Sequence, residues 1–271
     1  MKAATAIGIA VAAGGILMSG IMGGVSPASF IDIPALLIVL GGTCGVTLAS
    51  VGMDGFKRIP TLYKIAFGPP ELDVPGRVQQ LVGFAEQARR EGLLALDAQT
   101  KDIEDDFTRK GMQLVVDGSD PELVAEVLEA EIEGMQARHH EGAMPFEKAG
   151  GFAPTMGIIG TVMGLVHVLS NLSAPSTLGP AISSAFIATL MGVSSANVVY
   201  LPVANRLKAL DKQETELRNL TLEGILAVQA GDNPRVVAEK LGSFVPPSER
   251  PGEDEAGPSA GAAEVPQQEA A

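Results

Sequence analysis

Two hydroxyl side chains, Thr161 and Thr189, are the first candidates for chemistry, because each lies in a long stretch free of Asp, Glu, Lys and Arg. Their oxygens can help coordinate a cation or hold water along a polar path. They can equally serve packing alone, since in lipid small residues let helix backbones approach and hydroxyls bond across the contact. Small residues surround both: Gly157, Gly160 and Gly164 recur every three or four positions around Thr161, and Ser184, Gly192 and Ser195 do much the same around Thr189. Pro154 and Pro202 flank these runs. A proline in a helix leaves a carbonyl without its donor, which can merely punctuate or kink the helix, or can open a carbonyl or a hinge to ion passage. His167 is the one imidazole in these stretches. It can relay a proton or simply hydrogen-bond within a packed contact.

The elements that must position these groups are set by where charge is absent. The chain has 271 residues, 46% of them hydrophobic and only 19% charged, with a formal net charge of -13. No Asp, Glu, Lys or Arg occurs between Ala3 and Ile31, between Ile33 and Met53, or between Ala149 and Asn205. A helical crossing of the hydrocarbon core needs about 20 mostly apolar residues. Spans are therefore expected near 3–23, 34–53, 151–172 and 181–201. The first could instead be a signal peptide behind Lys2, but its apolar run is long for an h-region and a second span follows closely. The expected fold is an all-α integral membrane protein with four transmembrane helices in two hairpins and a helical insert between them.

The links 24–33 and 173–180 hold no Lys or Arg, whereas Lys57, Arg58 and Lys64 follow span two and Arg206, Lys208 and Lys212 follow span four. The positive-inside rule then places the insert and both termini in the cytoplasm. The chain divides into transmembrane helices one and two (1–53), a cytoplasmic helical insert (54–148), transmembrane helices three and four (149–205), a cytoplasmic helix (206–244) and an acidic tail (245–271). The tail is rich in Pro, Glu, Gly, Ser and Ala and is expected to be disordered. In the insert, Val78, Leu81, Val82 and Ala85 recur at helical spacing. A second insert helix has start chemistry in Ser119-Asp120-Pro121-Glu122, and its buried stripe is Leu123, Val124, Val127, Leu128, Ile132 and Met135.

Pathways for protons or sodium normally need an ionisable group in the membrane. No span interior here carries a carboxylate, and Asp32 sits only at the outer edge of span two. A cation pathway in this chain must therefore borrow its carboxylate from another polypeptide. The sequence holds no P-loop, metal-ligand cluster or nucleophile elbow, so neither enzymatic activity nor a cofactor or metal is expected. Adjacent His139 and His140 point about 100° apart on a helix and read as a solvated helix end. The single cysteine, Cys44, excludes an intrachain disulfide, and the acidic balance disfavours nucleic acid.

The run Gly151-Phe-Ala-Pro-Thr-Met-Gly-Ile-Ile-Gly-Thr-Val-Met-Gly-Leu165, set in two hairpins around a large insert, resembles the A subunit of the bacterial flagellar motor stator, the MotA and PomA family, within the wider group that includes TolQ and ExbB. Ile31-Asp-Ile-Pro34, Gly41-Gly-Thr43, Ala88-Arg-Arg-Glu-Gly-Leu-Leu-Ala-Leu-Asp97 and Phe186-Ile-Ala-Thr-Leu-Met-Gly192 extend the likeness to residues 1–245. TolQ and ExbB relatives typically have three spans, so the leading hairpin favours the stator. A TolQ or ExbB-like energiser of an outer-membrane process is the alternative, and a non-conducting membrane scaffold is a third.

The resemblance implies a multi-pass protein of the bacterial inner membrane. It implies a ring of this subunit, expected to be a pentamer, around a MotB/PomB-like B subunit that supplies the missing aspartate, with flow of H+ or Na+ turned into torque. By the same resemblance, Arg89, Arg90 and Asp97 match charged residues that engage the rotor protein FliG, Asp97 standing where the family often has Glu. Arg89 and Asp97 lie roughly two helical turns apart and are expected on one side of a helix; a merely solvated charged face is the plain alternative. Pro154 and Pro202 match prolines linked to torque, Thr161 and Thr189 match hydroxyls near the ion path, and Asp32 matches an outer acidic position of sodium-type members or else is an exposed loop carboxylate.

Overall fold

Long apolar runs without charge fold as helices because a helix satisfies its own backbone groups, and among the described residues every regular element is helical. The computed structural model describes residues 4–173 and 175–245. The expected acidic tail, apart from Val245, lies outside them. In chain order the helices are α1 (Ala4–Met22), α2 (Ile33–Leu36), α3 (Gly42–Phe67), α4 (Val74–Glu91), α5 (Asp97–Thr100), α6 (Asp106–Val116), α7 (Pro121–Ser170), α8 (Pro175–Ser195), α9 (Leu201–Ala230) and α10 (Pro234–Gly242). A π-helical turn, Leu37–Gly41, joins α2 to α3, and a second, Ala196–Tyr200, joins α8 to α9. Among the described residues four stretches are long and apolar enough to cross a membrane: Ala4–Met22, Pro27–Phe67, Pro121–Ser170 and Pro175–Ala230.

The described residues pack as two compact units, 4–72 with 129–173 and 175–216, and 73–128 with 217–245, and α7 and α9 supply residues to both. These limits differ from the polarity boundaries at 54–148 and 206–244. Charge marks where the chain leaves hydrocarbon, whereas packing continues along a helix past that point. Span three and the second insert helix are accordingly one helix, α7, of 50 residues.

In the first unit, α1 buries none of its residues within the chain. Its Gly20 packs on Phe30, whose ring would lie 2.6 Å from an added Cβ, and its partly buried Ile9 packs against the cluster around Ala66 and Phe146. Asp32 caps α2 by accepting the Ala35 N–H at 2.9 Å. The α3 helix breaks at Gly52, whose φ of 72° is costly for any residue with a side chain, one residue before the expected end of span two. Past the break, Ala66 packs with Ala143 and Phe146 of α7 and Val203, Ala204 and Leu207 of α9, and the Tyr63 ring meets Phe146 edge-on at 4.9 Å. α8 begins at Pro175 and runs through Pro180, so span four starts earlier than expected.

The second unit is built as a water-soluble domain is built. Val78, Leu81 and Ala85 of the α4 stripe are buried, as are Val124 and Leu128 of α7, whereas Leu123 is 48% exposed. They close a core with Phe107, Met112, Leu220, Ile225 and Leu241. Each fully buried Leu or Phe contributes about 1.5–3 kcal/mol in water. The Arg218 guanidinium lies 4.9 Å above the Phe107 ring. Side-chain caps start three of the helices: Asp73 for α4, Asp105 for α6 and Asn233 for α10.

Asp105 joins two of these devices. It accepts the Thr108 N–H at 2.8 Å and the Thr108 hydroxyl, and it pairs with Arg77 at 2.9 Å. Burial pushes its carboxyl up, but the Thr108 hydrogen bonds and the Arg77 and Arg218 charges together outweigh burial and hold it below its ordinary value. A carboxylate so lowered contributes stability that is full above its ordinary value and is lost as pH falls through the lowered one. Asp105→Asn, which keeps a capping oxygen but removes the charge facing Arg77, is expected to cost about 1 kcal/mol at neutral pH. Hydrogen exchange of the α6 amides in the full chain should register that loss, and the gap from wild type should close as the medium is acidified through the lowered value.

Candidate functional site

The Thr161 and Thr189 side chains meet because glycine brings their helices together. A Cβ on Gly157 would lie 2.8 Å from the Ala188 carbonyl oxygen, one on Gly164 would lie 2.6 Å from the Ala185 Cβ, and one on Gly192 would lie 2.4 Å from the Ala153 carbonyl oxygen. Across this seam the Thr161 and Thr189 hydroxyls are hydrogen-bonded to each other. Thr161 Oγ1 also lies 2.9 Å from the Ala185 carbonyl oxygen of α8 and 3.1 Å from the Gly157 carbonyl oxygen of its own helix, while Thr189 Oγ1 is 3.4 Å from that same Gly157 oxygen. Two hydroxyl protons thus have two carbonyls and each other as acceptors. Both side chains are half-buried.

The prolines bracket the seam. Pro154 lies inside α7, which continues through it, and leaves the Gly150 carbonyl without its helical donor. Gly150 in turn faces Leu201, whose Cδ2 would stand 2.5 Å from an added Cβ. Pro202 follows the π-helical turn Ala196–Tyr200 and takes the donor from Val198 inside that turn. The proline therefore accompanies a bulge in the helix rather than its end.

At the other end of the seam, Asp32 is half-buried, and beyond its cap it accepts the Ser184 hydroxyl at 2.9 Å, tying α2 to α8. His167 is exposed, not packed, with Asn171 Nδ2 at 3.4 Å from its Nδ1. It lies on a cleft lined by Ala35, Ile38, Met163 and Ser184. Thr43 and Thr47, one turn apart on α3, are buried with hydroxyls that meet no partner among the described residues; in the sequence Thr43 stands out only as part of the Gly41-Gly-Thr43 likeness, and Thr47 not at all.

Arg89, Arg90 and Asp97 are all exposed in the second unit, but not along one helix. α4 ends at Glu91, Gly92 turns the chain at a φ of 85°, and a short 3-10 turn over Leu93–Leu96 precedes Asp97, the first residue of α5. The two-turn spacing therefore does not apply, and the charges lie on either side of a corner. Asp97 pairs with Lys101 at 2.9 Å. His139 and His140 do not mark a helix end, since both lie in the interior of α7. His139 Nδ1 stands 2.8 Å from Asp211 Oδ1 of α9, flanked by Gln136 to Thr215 at 3.2 Å and by an ion pair of Lys208 with Glu147. No group of three or more His, Cys, Asp and Glu suited to a metal occurs among the described residues.

Because the seam leaves no room at Gly192, Gly192→Ala is expected to cost about 1–3 kcal/mol by overpacking. Gly151→Ala, whose Cβ meets nothing within 4 Å, should be neutral or mildly stabilising. Melting midpoints of the two variants in the same detergent check the contrast.

Residues 99–219 match the family model described as the MotA/TolQ/ExbB proton channel family. Motility protein A of Bacillus subtilis (strain 168) is 36% identical over 92% of this chain and 93% of its own length. Chemotaxis protein PomA of Vibrio alginolyticus is 36% identical over 90% of this chain and 96% of its own. The flagellar MotAB stator complex from Bacillus subtilis contains a chain that superposes with a TM-score of 0.84 at 37% identity, covering 90% of this chain and 96% of that one. With that fold, two spanning hairpins and relatives matched over nearly their whole length, the chain belongs to the MotA/PomA family of flagellar motor stator subunits, within the MotA/TolQ/ExbB proton channel family.

Proposed function

We propose that this subunit forms one wall of a cation channel and converts ion flow into torque, with a MotB/PomB-like B subunit supplying the membrane carboxylate. The observation that carries the reading is the composition of the seam: hydroxyls, backbone carbonyls and glycine, with no carboxylate along α7 from Ala149 onward or in α8. Neutral oxygens can orient a cation, but in low dielectric they do not offset its charge. A second chain bearing an acidic group at that depth completes the site. The Bacillus subtilis relative of known structure is a MotAB complex, which supports a partner of this kind.

In this reading the subunit assembles as a ring, a pentamer, in the bacterial inner membrane, with both termini and the second unit in the cytoplasm. Thr161 and Thr189 line the ion path, Pro154 and Pro202 supply the free carbonyls or hinges beside it, and Asp32 stands at its outer mouth. No cofactor and no enzymatic step are involved. Asp32 together with the hydroxyl pair favours Na+ over H+. Arg89, Arg90 and Asp97 meet the rotor protein FliG, and the corner at Gly92 makes that surface a projecting edge rather than one side of a helix. The relatives matched along nearly their whole length are motility proteins, which favours this reading over an energiser of an outer-membrane process.

Charge reversal at Arg89 or Arg90 is expected to abolish swimming while membrane assembly of the chain stays intact; normal swimming in both variants would remove the rotor contact. Swimming speed should rise with external sodium and fall with a sodium-channel blocker. Thr161→Ala should change that dependence, and a speed indifferent to sodium in wild type would assign the proton instead.

A further inference from the structure

A groove of about 530 Å3 runs between α1 and the start of α9, and its lining changes character along its length. Gly8, Ile9 and Ala12 of α1 face Val198 and give it apolar walls, while Asn205 and Arg206 close it at the end where the charge-free run 149–205 stops. Among the described residues no Asp or Glu lines it, and the buried Arg206 Nε meets no acceptor among them. The next cations along α9 are engaged differently: Lys208 pairs with Glu147, and Lys212 lies 3.8 Å from Glu216.

We propose that this groove binds an anionic phospholipid of the adjoining leaflet, with the phosphate on Arg206 and an acyl chain against Gly8, Ile9 and Ala12. An amphiphilic occupant fits best, because one end of the groove carries a cation while Gly8, Ile9, Ala12, Val198 and Pro202 give the rest a mainly apolar lining, interrupted only by the neutral Thr5 and Asn197. A guanidinium recognises phosphate through paired N–H donors, and the exposed Asn205 amide adds a neutral donor beside it. Position fits as well. Arg206 is the first charge after a membrane-length apolar run, which is the depth of lipid phosphates. The groove also runs along α1, whose Gly8 and Ala12 are exposed in the chain, so an acyl chain lying there covers surface that this chain leaves open. A neighbouring helix could fill the apolar part but would have to present an acid at that one level to satisfy Arg206.

The full chain, extracted with whatever subunits accompany it, is placed in nanodiscs of equal phosphatidylglycerol and phosphatidylcholine and then read by native mass spectrometry for retained lipid. Wild type is expected to retain phosphatidylglycerol over phosphatidylcholine by about fivefold, the effect of one basic side chain at a membrane surface. Arg206→Gln should bring that ratio to near one and Arg206→Lys should keep most of it. Gly8→Leu, whose Cβ enters a space with no heavy atom within 4 Å, should lower retention of both lipids. If Arg206→Gln does not assemble, the Lys and Leu variants still decide. The proposal is overturned by equal ratios in wild type and Arg206→Gln, by no effect of Gly8→Leu, by displacement of the lipid with inorganic phosphate alone, or by an assembled complex that retains no lipid because protein covers the groove.

Discussion

The contact on which the membrane unit depends is the backbone-to-backbone approach of α7 and α8. Water drives no association between apolar helices inside a bilayer, because lipid tails are as apolar as leucine. What remains is close packing and polar bonds across the contact. Gly157, Gly164 and Gly192 provide the first by leaving no side chain where Ala188, Ala185 and Ala153 stand. The hydroxyl pair with its two carbonyls provides the second. Once the two helices are set at Thr161 and Thr189, the antiparallel register continues through Gly150 with Leu201, Glu147 with Lys208, His139 with Asp211 and Gln136 with Thr215.

The second unit is held by other means. Its core of Leu81, Phe107, Met112, Ile225 and Leu241 excludes water, and its helices begin on Asp73, Asp105 and Asn233. Two solvents thus divide one chain. The small-residue code acts where the surroundings are hydrocarbon, and the apolar-stripe code acts where they are water.

This division explains what could be read without coordinates. Absence of charge located all four spans, and α1 at Ala4–Met22 agrees with the expected 3–23. Helical spacing found Val78, Leu81 and Ala85, and the Pro121 start of α7 agrees with the chemistry of Asp120 and Glu122. Single-residue signals were less reliable. Pro180 read as a boundary, yet α8 accommodates it in its second turn. Gly92 was passed over although its left-handed φ separates Arg89 from Asp97. His139 gave no sign of its partner because Asp211 is distant in sequence and adjacent only through the hairpin. The stop at Gly92 is a local signal, basic residues followed by a left-handed glycine, whereas the pairing of His139 was set by a chain segment elsewhere.

The hydroxyl pair does not have to be assigned either to packing or to ion contact. A hydroxyl has one proton and two lone pairs. When Thr161 donates to Ala185 and accepts from Thr189, one lone pair on its oxygen remains, and Thr189 retains acceptor capacity as well. Fixing the protons onto protein acceptors holds the oxygens in place, so in the proposed ion path a cation beside the seam would meet lone pairs already oriented, without a cost for turning them. The same geometry limits what the pair can do. Its oxygens are neutral, and Asp32, the carboxylate at the other end of the seam, accepts the Ala35 amide and the Ser184 hydroxyl on its Oδ1 and stands apart from the pair. In the proposed ion path, a seam that orients a cation without neutralising it is half of an ion site, and the other half would come from a neighbouring chain.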